Sequence, residues 1–263
     1  MFPATTPGLL VEQCLKLAAH GVSGVLVSGG CDSEGRLPWK RFASAIRELK
    51  DRTGLFVSVH SGLVDDETAQ ALRGAGVDQA LIDVIGDDET FREVCHIECG
   101  VSRIAASLES LCKAGISVVP HIVCGLHFGE IRGERKALER ICSFDLKQLV
   151  ICSLMRIPGT PAWDWPMPEA GAVADFVAEA RIALPAASLS LGCARQRGNR
   201  RLEILAIDAG VNRMALPSEE AIEHARKCGL EIRYQATCCS VPEGDRSAEF
   251  PAWPHGRFLE KTA

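Results

Sequence analysis

Two adjacent glycines, several histidines, a buried-looking aspartate and a set of thiols carry the chemical interest of this sequence. Gly29-Gly30 ends the apolar run Val22–Val27 and opens into the polar loop Cys31-Asp32-Ser33-Glu34-Gly35. A glycine pair lets the main chain turn sharply and lets a ligand approach backbone groups that a Cβ would shield. His60 and Ser61 end a second apolar run, and Asp83 lies inside a third, Ala80-Leu81-Ile82-Asp83-Val84-Ile85. A carboxylate in that setting needs a partner or a ligand, because burying it alone is costly. His121, Cys124 and Gly125 follow at the end of the next run, then Cys152 and Arg156, then Cys193 and Arg195. Cys238-Cys239 comes after a short extended stretch. With Cys193 these thiols offer ligands for a metal or an iron–sulfur cluster, and packing is the competing reading for each.

The elements that must hold these groups alternate regularly. A helix is predicted over Pro7–His20, with Thr6 as N-cap and Gly21 ending it. Strands are predicted at Val22–Ser28, Gly54–His60, Gln79–Ile85, Ser117–Cys124, Gln148–Leu154, Ser188–Gly192 and Arg213–Leu216. The helices between them span Trp39–Lys50, Asp66–Ala75, Thr90–Ala114 with a break near Gly100, Glu134–Phe144, Glu169–Ala183, Arg201–Asp208 and Ser218–Lys227. Glu231–Gln235 reads as a further extended segment. The first strand, continuously apolar, is expected to be buried on both faces. Alternation at this spacing gives an α/β fold, a TIM-type (β/α) barrel of parallel strands with chemistry at their carboxyl ends. The count is seven strand–helix units, one fewer than the eight of a closed barrel, and the chain opens on a helix. The barrel's opening strand, ahead of the Pro7–His20 helix, is therefore expected to be missing, leaving an exposed sheet edge. Residues 1–240 are expected to form this barrel and 241–263 a flexible tail rich in proline, glycine and charge.

Composition narrows the field. The chain has 263 residues, is 47% hydrophobic, and carries a net charge of −5 with both signs scattered. That fits one large domain and gives no basic footprint for nucleic acid. No apolar run reaches membrane-spanning length. The first residues lack the layout of a signal peptide, so the cytoplasm is the expected location. Twelve cysteines in such a chain do not suggest a disulfide framework. Cys14, Cys112, Cys142 and Cys228 fall within helical patterns and are expected to pack as small hydrophobes, with Cys124 and Cys152 closer to packing than to chemistry. Cys95-His96-Ile97-Glu98-Cys99 begins a C-x3-C-x2-C pattern, but Ser102 stands at its last position.

Taken together, Ser28-Gly29-Gly30-Cys31-Asp32, Val59-His60-Ser61-Gly62-Leu63, Asp83 through Thr90, Val119-Pro120-His121 with Gly125-Leu126-His127, Gly192-Cys193-Ala194-Arg195 and Thr237-Cys238-Cys239 carry a resemblance. The sequence resembles the radical S-adenosylmethionine (SAM) enzymes of the biotin synthase and lipoyl synthase type, above all the two-protein lipoyl synthases. The likeness spans about residues 3–241. It implies SAM as cofactor, with Gly29-Gly30 on its methionyl amino group, although Cys31 intervenes before Asp32 where the family often has an acidic residue. It implies Asp83 on the ribose, and an adenine pocket from Pro120–Gly125 and Met155–Ile157, which includes His121, Gly125 and Arg156. His60 joins this cofactor-binding set. Cys193, Cys238 and Cys239 are candidates for an auxiliary cluster that donates sulfur.

The implied reaction is SAM cleavage at a [4Fe–4S] cluster and sulfur insertion into an octanoyl chain to make the lipoyl cofactor. Its partners would be a second radical SAM lipoyl synthase protein and an octanoylated lipoyl carrier domain, with neither nucleic acid nor membrane involved. The departure is the family's C-x3-C-x2-C motif, which these residues do not contain. The chain starts about where that motif should end, so it is expected to be a truncated member or a degenerate one, and not to cleave SAM as written. A catalytically silent barrel that binds SAM or a partner is the alternative. An aldolase-type barrel has little support without a lysine in an apolar strand run. A metal hydrolase built on His60, His121, His127 and Asp83 lacks a recognised ligand spacing.

Overall fold

The chain's architecture is that of a computed structural model, which describes residues 2–235 and 237–242. Its elements run α1 (Pro7–Ala19), β1 (Gly24–Val27), α2 (Trp39–Arg52), β2 (Phe56–His60), α3 (Asp66–Gly74) and β3 (Gln79–Asp83). They continue with α4 (Asp88–Glu93), α5 (Ser102–Lys113), β4 (Ser117–Cys124), α6 (Glu134–Ile141) and β5 (Gln148–Ser153). A short 3-10 turn (Pro161–Asp164) leads to α7 (Ala170–Ala183), β6 (Ser188–Leu191), α8 (Arg200–Asp208), β7 (Arg213–Met214) and α9 (Glu219–Lys227). All seven strands are parallel and pair in chain order, β1 to β7. The sheet curls into a half-barrel with helices on its outer face, as sequential right-handed crossovers require. Among the described residues β1 and β7 are its two edges.

Helix starts follow local chemistry. Thr6 Oγ1 accepts from the Leu9 amide, Asp65 from Thr68, Asn199 from Leu202 and Ser218 from Ala221, each satisfying an amide the helix itself leaves open. The main core lies between sheet and helices. Alternate strand residues such as Val57, Val59, Ala80, Ile82, Val118, Ile122, Leu149, Ile151, Leu189 and Leu191 belong to it. The intervening residues therefore face the concave side. There Val119, Val150 and Cys152 form a second small apolar cluster, joined by Ala194 and Cys239.

The floor of this concave face is polar, a layer not anticipated from the sequence. Gln79 Nε2 donates to the Ser240 carbonyl (2.8 Å), and Gln148 Nε2 donates to the Cys239 carbonyl (2.6 Å). Ser190 Oγ donates to that same Cys239 oxygen at 3.2 Å. The segment after α9 thus returns into the half-barrel and is held by its main-chain carbonyls. Val241 belongs to it, its amide donating to Cys238 O, whereas residues 243–263 of the expected tail lie outside the described residues.

Three expectations need correction. β1 is only half-buried and Leu26 is 43% exposed, because an edge strand at the open side of a curled sheet has no second neighbour to cover it. Cys112, Cys142 and Cys228 are exposed, unlike Cys14. Cys112 falls off the buried stripe of α5, while Cys142 and Cys228 cap the ends of α6 and α9, where the chain turns from the core. Glu231–Gln235 takes no part in the sheet.

Candidate functional site

The carboxyl ends of β2, β3 and β4 bring three of the expected residues together. His60 is the last residue of β2 and Asp83 the last of β3, and the parallel register sets Asp83 beside His121. The His60 and His121 rings lie 5.2 Å apart, tilted by 57°, and His60 Nδ1 is 3.9 Å from Asp83 Oδ2. Asp83 is not buried as the sequence run suggests: its side chain is 55% exposed. The strand period turns it to the concave side, where the mouth is open.

His121 is buried, with Nδ1 3.2 Å from the Val119 carbonyl. A carbonyl only accepts, so Nδ1 holds the proton and Nε2 keeps its lone pair. Burial, reinforced by His60 and opposed by Asp83, pulls the His121 pKa down to about 4. The unfolded chain, with histidine near 6.5, takes up this proton first as pH falls. Stability contributed by neutral His121 is therefore complete above that value and declines by about 1.4 kcal/mol per pH unit between the two. Urea melts at pH 7 and pH 5 are expected to show this loss, and His121→Gln to flatten it. An equal slope in the variant would assign the loss to other groups.

The thiols occupy the same concave face. Cys238 Sγ receives a hydrogen bond from Ser240 Oγ at 3.3 Å. Its pKa is pulled down to about 5, chiefly by hydrogen bonding from Cys239 and then by Ser240 and His60, against the effect of burial. Cys239, as the donor of that bond and itself half-buried, is pushed upward. Cys152 is pushed up to about 12 by burial, with Asp83 and Cys193 adding to it. Gly192 has to be glycine here, since a Cβ would stand 2.6 Å from Cys152 Sγ. Cys193 is exposed at the end of β6. Cys193, Cys238 and Cys239 are thus neighbours on one face. They are not gathered on one point: among the described residues, the one group of three such side chains with ligand atoms within 4.8 Å of one another is Asp208, His224 and Cys228.

The other expected cofactor residues divide. Gly29 and Gly30 are exposed after β1, and a Cβ at Gly30 would meet nothing within 4 Å. Asp32 Oδ1 is engaged with its own loop, accepting from the Glu34 and Arg36 amides at 2.9 Å each. Gly125 is a structural glycine with φ +79, packed against Pro168, and its amide is taken by Glu134 Oε1 at 2.7 Å. Arg156 is exposed, its Nε donating to Trp165 O at 3.3 Å. Cys95 and Cys99, after α4, do not suit a cluster. Burial holds Cys95 up at about 11, against the thiolate form that iron requires.

Two polar networks near the site went unread in the sequence. Arg132 Nη1 donates to His127 Nε2 (3.0 Å), which fixes the proton on Nδ1 facing Thr90 Oγ1 (3.0 Å). Thr90 Oγ1 in turn donates to Asp87 Oδ2 at 2.8 Å, and Arg132 also pairs with Glu89. His127 and the acidic loop are therefore a clamp behind the mouth. Arg195, which the sequence placed among the strand-end candidates, is fully buried against Glu203.

A family model described as the Radical SAM superfamily matches residues 2–140. The biotin synthase of Dechloromonas aromatica (strain RCB) is 29% identical over 177 residues, covering 66% of this chain and 53% of that protein. The biotin synthase of Pelotomaculum thermopropionicum (strain DSM 13744 / JCM 10971 / SI) is 26% identical over 219 residues, covering 81% and 65%. The chain thus spans less than two thirds of the length of these relatives. Among solved structures, methylornithine synthase (PylB) superposes with a TM-score of 0.61 at 17% identity, over 87% of this chain and 74% of that one. HydG, a maturase of the [FeFe]-hydrogenase, gives 0.62 at 14% identity, over 81% and 50%. At such identities the two structures speak for the fold alone.

Proposed function

This chain belongs to the radical SAM superfamily, and from that premise we propose that it is a SAM-binding half-barrel of the sulfur-inserting kind. The observation that carries the reading is the open main chain of Gly29-Gly30 at the end of β1, on the face that also holds His60, Asp83, His121 and the thiols. Gly29 and Gly30 would hold the methionyl end of SAM through main-chain groups, and the exposed carboxylate of Asp83 would accept from the ribose hydroxyls. His121, neutral and with a free Nε2 lone pair, adds an acceptor without adding charge. SAM held there would supply radical chemistry, hydrogen abstraction from an unactivated carbon, only when an iron–sulfur cluster delivers the electron that cleaves it. The substrate that fits best is an octanoyl chain on a lipoyl carrier domain, handled together with a second radical SAM lipoyl synthase protein. Cys238 and its neighbours would hold the auxiliary cluster that gives up sulfur.

The residues present do not fit the [4Fe–4S] cluster that starts such reactions. Cys95 and Cys99 lack a third cysteine at Ser102, and burial keeps the Cys95 thiol protonated. The same departure favours a second reading, a barrel that binds SAM or a partner without turnover.

Calorimetric titration with SAM tests the binding. Gly30→Val has room for its side chain, so it is expected to fold normally yet weaken SAM binding at least tenfold by blocking the backbone approach. No SAM binding by the parent, or equal binding by the variant, would overturn the reading. Anaerobic reconstitution with iron and sulfide then separates the two functions. Cluster formation that depends on Cys193, Cys238 or Cys239 supports sulfur insertion, and its absence leaves the silent barrel.

A further inference from the structure

Away from the mouth, three side chains of different chemistry meet between the last two helices. Asp208 is the final residue of α8, His224 lies in the last turn of α9, and Cys228 caps that helix one turn later. His224 Nε2 is 2.6 Å from Asp208 Oδ1 and 3.6 Å from Cys228 Sγ. All three donor atoms fall within 4.8 Å of one another.

This is not the layout of a nucleophilic triad. There the imidazole relays a proton, with its two nitrogens facing different partners. Here carboxylate and thiol address the same nitrogen, so no relay is possible and the atoms converge on one spot, as metal ligands do. The chemistry of the set is also informative. Thiolate, imidazole and carboxylate together suit a borderline divalent ion, with bonds of about 2.0–2.3 Å and ligand atoms about 3.3–3.7 Å apart around a tetrahedron. The sulfur–nitrogen separation of 3.6 Å already meets that spacing. The 2.6 Å hydrogen bond must open as the ion enters. The i, i+4 placement of His224 and Cys228 puts both on one face of α9.

The surroundings give such an ion a purpose. β7 is only two residues long, and α9 buries a single residue, Ala221. The last unit of the half-barrel is thus attached by little apolar surface, whereas α5 and α7 bury five and six residues.

We propose that Asp208, His224 and Cys228 form a zinc-type structural site that staples α9 to α8. On binding, Cys228 releases its thiol proton to solvent and ligates as thiolate. His224 ligates as neutral imidazole through Nε2, Asp208 through a carboxylate oxygen, and water completes the tetrahedron.

The test uses the full chain, freed of metal by a chelator and titrated with Co²⁺ under reducing conditions. The expected result is a tetrahedral visible spectrum with a near-ultraviolet thiolate-to-cobalt band. Both are expected to disappear in Cys228→Ser and His224→Ala, with affinity falling at least thirtyfold, and Zn²⁺ to displace the cobalt. Zinc about a hundredfold above its dissociation constant is expected to raise the melting temperature by about 5 °C or more in the parent and not in Cys228→Ser. Cys228 is exposed, so that variant should fold, and an unchanged metal-free melting temperature verifies it. A parent without the thiolate band overturns the proposal. So does a band that survives in Cys228→Ser, which would place the cobalt on other thiols.

Discussion

Arg195→Met is expected to cost about 3–5 kcal/mol of stability. The guanidinium is fully buried. Its Nε and Nη2 donate to Glu203 Oε1 at 3.2 and 2.6 Å, and Nη1 donates to the Gly192 carbonyl at 2.7 Å. Nη2 also reaches the Leu216 carbonyl at 3.1 Å, while Glu203 Oε2 accepts from the Ser218 amide at 2.8 Å. One ion pair thus ties the end of β6, the start of α8 and the turn that begins α9. Removing the arginine leaves a buried carboxylate facing no cation, which is why breaking such a pair is worse than never having had it. The double variant Arg195→Met/Glu203→Leu is accordingly expected to regain part of the loss. Burial raises the Glu203 pKa, but the hydrogen bonds from Ser218 and Arg195 outweigh it and hold the carboxyl below its usual range. Since the folded value is the lower one, the pair's contribution is present above the unfolded glutamate pKa and lost as pH falls through the folded pKa. Urea melts of the three proteins decide the matter. A double variant no more stable than Arg195→Met would mean that the cost lies in lost packing rather than in the stranded charge.

What could be read in advance divides along physical lines. Strand and helix positions were legible because their signals are local: glycine stops, side-chain caps such as Thr6 and Asp65, and apolar runs of the right length. Parallel order followed from alternation alone. The role of Arg195 was not legible, because a strand-end arginine looks the same whether it faces a ligand or a carboxylate eight residues further along the chain. Asp83 was misread for a related reason. Its sequence neighbours are buried, but period two sends it to the open concave side while Ile82 and Val84 stay in the core. The same period hides the polar floor. Gln79 and Gln148 open their strands like ordinary surface residues, and only the return of the chain at Cys239 and Ser240 gives them partners. Long-range closure of that kind leaves no mark in a local window. At the site, His60, Asp83 and His121 lie together at neighbouring strand ends, whereas the Gly125 amide is taken by Glu134 and Asp32 by its own loop.

Cys238 is expected to alkylate at a nearly constant rate from pH 6 to pH 8, while an ordinary thiol gains about tenfold per unit until it ionises. With its pKa drawn down to about 5, it is already thiolate throughout that range. Such a thiolate is also a weaker nucleophile, and the two effects oppose each other. At pH 6 the gain in thiolate is about 300-fold over a free cysteine, and the loss in intrinsic reactivity is about 40-fold, for a net advantage of several-fold. By pH 8 about a quarter of a free cysteine is ionised, the gain in thiolate shrinks to about fourfold, and the free cysteine overtakes it, so the pH profile, not the absolute rate, identifies the residue. Iodoacetamide labelling read by peptide mass spectrometry measures this site by site. Cys239→Ala removes the first hydrogen-bond donor and Ser240→Ala the next, and each is expected to restore a pH-dependent rate. A tenfold rise per unit in the parent would show that Cys238 is an ordinary thiol. The consequence reaches the proposed chemistry, because iron is ligated by thiolate rather than thiol. A residue held ionised beside His60, on a segment locked into the half-barrel by Gln79, Gln148 and Ser190, needs no further proton loss to take a cluster. Iron bound there should protect Cys238 from labelling while leaving exposed Cys112 and Cys142 reactive.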